Sequence, residues 1–384
     1  MVKLTSVALL LSAAAPLCAQ QWQIGIESRG RYEHKTGLST ALFRNRFSLT
    51  YKPFSWLKLS GMVQDARAPG YGPNAPNTVR DPADLHEAYF ELFPDRKQGF
   101  GMSAGRRMVN YGETRLLASS QWTNVGRTYD HARVYWRSRR AQLELLFVSP
   151  VKINLGGFNR PYLANHVWGT YNSFPDLLGK NLVEAYFLRH EQPSGDVNVL
   201  GGRLAGPWPH GLKYSLESVG EARKVGHAFG WFSSLTRRWM LAAKPIDLTG
   251  EYRYASRSFD QLYPSGHDKF GHMDIVGWRN IHAAKLLATL GWTKAFALNF
   301  MYDSWWLASL REALYNSSGS SIARSAKGTA GRHVGQETDL FATYKFSRFT
   351  FGAGYGHMFK GEFLRSTKPS VPPTYAYIFH TFSF

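Results

Sequence analysis

The sequence predicts an all-β chain, a transmembrane antiparallel β-barrel of about eighteen strands, and three observations carry that expectation. Polar and apolar residues alternate along segments of about ten residues from one end of the chain to the other, the period of a pleated wall one strand thick. Short turns alternate with long polar connections. Aromatic residues make up 15% of the chain, with 20 Tyr, 25 Phe and 12 Trp, an excess that a water-soluble core does not need. A membrane barrel does need it, because rings gather at both membrane interfaces.

At the N-terminus, Lys3 followed by the apolar run 7–17 and the small Ala19 reads as a secretory signal peptide over residues 1–20, with the barrel over 21–384. Acylation at Cys18 is the alternative, but Ala15, Pro16 and Leu17 do not supply the small residue such processing wants just before the cysteine. Cys18 is the only cysteine, so the exported chain is expected to have no disulfide, thiolate metal site or cysteine nucleophile. Beyond the signal no apolar run approaches the ~18 residues of a membrane helix. The formal charge is +19, or +18 once Lys3 leaves with the signal, and Arg outnumbers Lys. In an exported protein this balance is poor evidence for nucleic-acid binding, a basic surface alone can serve adherence to anionic lipid headgroups, and where the charges point decides.

Strand by strand, residues 42–52 place Arg44, Arg46, Ser48, Thr50 and Lys52 on one parity and Phe43, Phe47, Leu49 and Tyr51 on the other, with Asn45 as the exception. Residues 212–219 set Lys213, Ser215 and Glu217 against Leu212, Tyr214 and Leu216. In 247–255, Asp247, Thr249, Glu251 and Arg253 oppose Leu248, Tyr252 and Tyr254, and Glu337, Asp339, Thr343 and Lys345 oppose Leu340, Ala342, Tyr344 and Phe346. Residues 53–55, 94–97 and 291–294 read as short periplasmic turns, whereas 67–84 and 309–335 read as long extracellular loops. The alternation is least regular in 165–171 and 228–236, so about sixteen strands is the alternative. An even number puts both termini in the periplasm. The last segment places Ile378, Phe382 and the terminal Phe384 on one parity, resembling the signal by which outer-membrane proteins are handed to the barrel assembly machinery.

Three stretches carry a family resemblance: GRRMVNYGETRLLASSQWTNVGRTYDHARVYW at 105–136, FDQLYPSGHDKFGHMDIVGWRNI at 259–281 and VGQETDLFATYKFS at 334–347. Together they resemble the alginate-export family of outer-membrane porins, over nearly the whole exported chain. The resemblance implies an eighteen-stranded barrel in the cell outer membrane, without catalysis or cofactor, whose electropositive lumen carries a polyuronate. Arg107 and Glu113 depart from the family's pattern. Membership supports an anion conduit better than alginate itself, and a general or small-anion porin is the alternative.

The residues allow their own reading beside it. Residues 111–126 are too polar to span lipid, and with Arg115, Asn124 and Arg127 they either fold back into the lumen as a constriction or lie outside with Trp122 at the headgroups. His267, Asp268, His272 and Asp274 have the chemistry of metal ligands, but such residues on a loop are more often solvated, and no metal is assigned. By parity Arg29, Arg31, Arg44, Arg46, Arg133, Arg137 and Arg253 face inward, as do Glu27, Glu87, Glu91, Glu144, Glu184 and Glu251. Arg suits a carboxylate because its planar fork gives two parallel hydrogen bonds. The same arginines can instead brace strands against the glutamates. Arg44, Arg46, Arg107, Arg115, Arg127, Arg133, Arg137 and Arg253 are the candidate conduit. His86, His131, His357 and His380 lie on strands, but nothing near them marks a catalytic base.

Overall fold

A computed structural model describes residues 21–72 and 75–384, together with every side chain of those residues except Asp268. The signal-peptide expectation over residues 1–20 lies outside the described residues. The wall has eighteen strands. Its first half runs Trp22–Lys35, Leu38–Phe54, Leu57–Arg67, Asp81–Leu92, Gly99–Arg107, Tyr129–Arg137, Gln142–Lys152, His166–Leu178 and Asn181–Glu191. Val197–Trp208, Leu212–Arg223, His227–Leu241, Lys244–Ala255, Ile281–Gly291, Phe296–Leu307, His333–Phe346, Phe349–Lys360 and Thr374–Ser383 complete it. Each strand pairs antiparallel with its sequence neighbour, and the last closes on the first from Glu27↔Ser383 to Lys35↔Tyr375. The terminal residue takes part, since Phe384 N–H donates to Ile26 O at 2.9 Å. Closure leaves no unpaired edge, which is what a hydrocarbon environment demands of β-structure. Among the described residues no helix is long and apolar enough to cross a membrane.

The alternation decides which face meets lipid. Phe43 and Phe47 are 45% and 46% exposed on the outside, while Arg44 and Arg46 between them are 3% and 6% exposed inside. The segments read least clearly as strands, 165–171 and 228–236, are wall strands, so the eighteen-strand count holds. The periplasmic turns are short, as at 55–56, 179–180, 242–243 and 347–348. The outer connections are long at 68–80, 108–128, 153–165, 256–280, 308–332 and 361–373. Boundaries shift from expectation where Pro53, Phe54 and Gly291 belong to strands, where the loop after residue 67 ends before Asp81, and where the loop after 308 ends before His333; the first outer connection is only the tight Thr36-Gly37 turn.

The interior is not a plain polar lumen. Near the outer rim the inward positions Val148, Val167, Leu188, Val197, Val199 and Val219 are buried, and Leu116, Leu117, Phe259, Phe270, Ile275 and Trp278 from two connections pack on them. Connections 108–128 and 256–280 therefore turn into the barrel and build an apolar core there. Burying these side chains contributes about 1.5–3 kcal/mol each relative to leaving them in a wet lumen.

Candidate functional site

The inward course of connection 108–128 settles where Trp122 lies: inside the barrel, not at the headgroups. Four arginines of the first two strands hold its backbone. Arg29 donates to the carbonyls of Gln121 and Thr123 at 3.0 Å each, Arg31 to that of Trp122 at 2.6 Å, and Arg44 to that of Gln121 at 3.0 Å. Arg46 reaches the Gln121 side-chain oxygen at 2.6 Å. The Arg31 guanidinium also lies 4.1 Å from the Trp122 ring, a cation–π contact. Buried Asn124 donates to the carbonyls of Phe43, Arg67 and Val79 at 3.0, 3.1 and 2.9 Å, tying the loop to two wall strands and to the outer connection 68–80. These contacts link residues 45 to 94 positions apart, and parity alone gives each residue's face but not its partner across the lumen.

At its other end the loop crosses to the opposite wall. Arg115 pairs with Glu217 at 2.8 Å and lies over the Phe232 ring at 3.2 Å. Glu113 meets Arg203 at 3.3 Å and Lys269 at 3.6 Å. Connection 256–280 is laced to it by backbone hydrogen bonds: Tyr263 N–H to Leu116 O, Ala118 N–H to Tyr263 O and Ser265 N–H to Thr114 O, at 2.8, 2.9 and 2.9 Å. Arg127 donates to the carbonyls of Ala118 and Pro264. Beneath the pair, Glu337 accepts the Met273 N–H at 3.0 Å, and Arg253 and Lys285 both donate to the Lys269 carbonyl. His267 stacks on Trp122 at 4.0 Å and on His272 at 4.3 Å, which places these two rings in the join between the loops.

Cavities remain around the paired loops. An outer vestibule of about 320 Å³ is lined by Arg31, Lys35 and Arg127 with Glu33 and Asp274. Toward the periplasm, a cavity of about 260 Å³ is lined by Arg107, Arg133, Tyr111, Glu144, Tyr171 and Glu184. A second, of about 560 Å³, is lined by Glu113, Arg115, Arg203, Lys213, Glu251 and Lys269.

The eight expected conduit arginines separate by surroundings. Arg44, Arg46, Arg115 and Arg253 are buried, and each has a carboxylate partner: Glu27 for the first two, Glu217 and Asp303 for the others. Arg133 bridges Glu91 at 3.0 Å and Glu144 at 3.5 Å while still lining a cavity, and Arg107 lines the same cavity with Glu91 4.0 Å away. Arg137 lies near the periplasmic turn, donating to Gln142 and the Pro94 carbonyl. Arg127 lines the vestibule. Glutamate bracing thus accompanies most of these arginines. Four further residues, Arg203, Lys213, Lys269 and Glu113, shape the lower cavities. Lys213 was legible on the polar parity of its strand, whereas Arg203 sits in a Gly- and Val-rich segment without alternating contrast.

The vestibule carries a pH dependence. About a third of the Asp274 side chain is exposed, and it lies 3.3 Å from His267. Burial pushes its carboxyl up to about 6, against the opposing pull of Lys35, His272 and Arg31. A raised carboxyl disfavours its own charged form, so this residue's contribution to stability falls as pH rises through about 6. Below that pH the vestibule gains one positive charge unit, and anion preference should increase. Bilayer reversal potentials recorded between pH 7 and pH 5 check this. Asp274→Asn should remove the step, and an unaltered profile in that variant would assign it to another group.

A closed barrel with a lipid-facing apolar wall and a charged, loop-narrowed lumen defines an outer-membrane channel. The chain belongs to the alginate export family, whose model matches residues 22–377. Solved outer-membrane structures share the fold. Pseudomonas aeruginosa OpdK superposes with a TM-score of 0.68 at 10% identity, covering 95% of this chain and 99% of that one. OccD3 (OpdP) of the same organism gives 0.66 at 12% identity, covering 94% and 91%. Acinetobacter baumannii OccAB2 gives 0.64 at 7%, covering 95% and 98%. No match was found among curated protein sequences.

Proposed function

We propose that this channel passes an anionic polysaccharide such as alginate through its arginine-rich lumen, with Arg44, Arg46, Arg107, Arg115, Arg127, Arg133, Arg137 and Arg253 setting the path. The observation that carries this reading is the partner of the arginines at the constriction. Beside the carboxylate pairs of Arg31 with Glu33 and of Arg44 with Glu27, Arg29, Arg31 and Arg44 direct guanidinium N–H groups at neutral backbone carbonyls of residues 121–123. Hydrogen bonds from guanidinium to carboxylate are roughly twice as strong as neutral ones, so uronate carboxylates compete well for those donors. The loop backbone stands where a polyanion would lie. Family membership and the formal charge of +19 support the same reading.

Passage of small carboxylates is the second reading. The paired loops divide the lumen into cavities of a few hundred Å³, which suit a compact solute. One OpdK structure was solved with vanillate, a small aromatic carboxylate. Oligouronates of increasing length, added to single channels, separate the two. Export of a chain predicts current block that strengthens with length, because successive carboxylates meet successive arginines. Block that is independent of length, or equalled by a monomeric carboxylate, would favour the small-anion reading.

Catalysis is not part of this proposal. Ser103 Oγ and His131 Nε2 lie 2.8 Å apart, but both residues are buried and His131 Nδ1 faces the Gly105 carbonyl rather than a carboxylate. That pair braces adjacent strands. The terminal strand is the proposed handle for the barrel assembly machinery, residues 1–20 the proposed export signal, and outer-membrane lipid the surrounding partner; nucleic acid has no place in the proposal.

A further inference from the structure

Connection 153–165 behaves unlike the two inward loops, because it leans across the outside of the wall. Asn159 is pinned there: its side-chain amide donates to Asp81 and its backbone N–H to Asp84, each at 2.8 Å. Beside it runs a groove of about 570 Å³ on the lipid-facing surface, lined by Leu85, Ala88, Ala132, Phe147 and Phe158 together with Arg106 and Asp130. The groove lies at the outer rim, since Arg106 and Asp130, which pair across it at 2.7 Å, are one residue from the outer ends of their strands. Phe158 and Leu163 are 76% and 63% exposed on a segment that is not part of the wall. Beside them Lys152 and Arg160 face each other in register, and among the described residues neither forms an ion pair.

A largely apolar slot open to lipid, with two cations free of ion pairs on the strand pair beside it at the outer rim, matches an acylated lipid with an anionic headgroup. We infer that this groove binds the phosphorylated glycolipid of the outer leaflet, one acyl chain against Phe158 and a phosphate on Lys152 and Arg160. The headgroup contacts are electrostatic and the chain contacts apolar, so the two can be removed separately.

The test is native mass spectrometry of the full chain in mild detergent, offered bis-phosphorylated lipid A, its dephosphorylated form, or phosphatidylethanolamine. Two cations predict a preference of roughly thirtyfold for the phosphorylated over the dephosphorylated form. Reversing both charges in K152E/R160E should bring that ratio to one or below. F158S should lower occupancy by both forms while keeping their ratio. Heat-modifiable migration verifies folding, and K152Q/R160Q replaces the charge-reversal variant if that one does not fold. The inference is overturned if wild-type protein retains both forms equally, if phosphatidylethanolamine binds as well as bis-phosphorylated lipid A, if the ratio survives charge reversal, or if F158S keeps wild-type occupancy.

Discussion

Removing residues 112–125 and joining the loop's ends through a short glycine linker should raise the single-channel conductance of the folded barrel several-fold. That segment crosses the lumen from Arg29, Arg31, Arg44 and Arg46 on one wall to Glu217 on the other, and the narrowest section of a pore dominates its resistance. The wall's hydrogen bonds are untouched by the deletion, because residues 108–128 lie between two strands that pair directly from Arg107↔Tyr129 down to Gly99↔Arg137. The deletion also strips the four arginines of their loop partners and turns their charge toward water, so anion preference should rise together with conductance. Planar-bilayer recordings on protein checked for heat-modifiable migration measure both. A conductance equal to wild type would place the narrowest section elsewhere.

A single substitution should loosen the same loop. Asn124 is fully buried and its amide nitrogen lies within 3.1 Å of three backbone carbonyls, two on wall strands and one in connection 68–80. In Asn124→Asp the donor becomes a carboxylate that faces those three oxygens. A buried group left unsatisfied costs about 1–3 kcal/mol, and more when charged. Eighteen paired strands keep the barrel intact, so the loss falls on the loop. Amide hydrogen exchange of residues 121–127 should accelerate by roughly one to two orders of magnitude, and steady current should give way to flickering. Asn124→Leu, without the charge, should show a smaller effect. Wild-type exchange protection in the Asp variant would mean that the arginines alone hold the loop.

How much of this was legible in the sequence depends on which contacts were local. Parity placed Arg44 and Arg46 inside and Phe43 and Phe47 outside because a pleated strand needs nothing beyond its own period to do so. The two segments that read poorly as strands, 165–171 and 228–236, have apolar residues on both faces. Val167 and Phe232 pack under the inward loops while Trp168 and Phe229 face lipid, so the alternation disappears where the lumen side is dry. Trp122 was ambiguous because a polar loop rich in aromatics suits a headgroup zone as well as a lumen. Its contacts with Arg31 and His267 bring together residues far apart in sequence. Arg115 and Glu217 were each visible as charged residues, but nothing in either segment announced the other.

The account rests on a lumen that favours anions, and the reversal potential of the purified channel in a planar bilayer, under a steep potassium chloride gradient at neutral pH, tests it most directly. Arginine charge enclosed by a low-dielectric wall is screened less than on an open surface, so the potential should take the chloride-selective sign and shrink as ionic strength rises. Replacing both Arg44 and Arg46 with Glu, in protein verified as folded, should move it toward zero. A potential of the potassium-selective sign in the wild-type channel would contradict the account, leaving the arginines as braces for the loops and the wall.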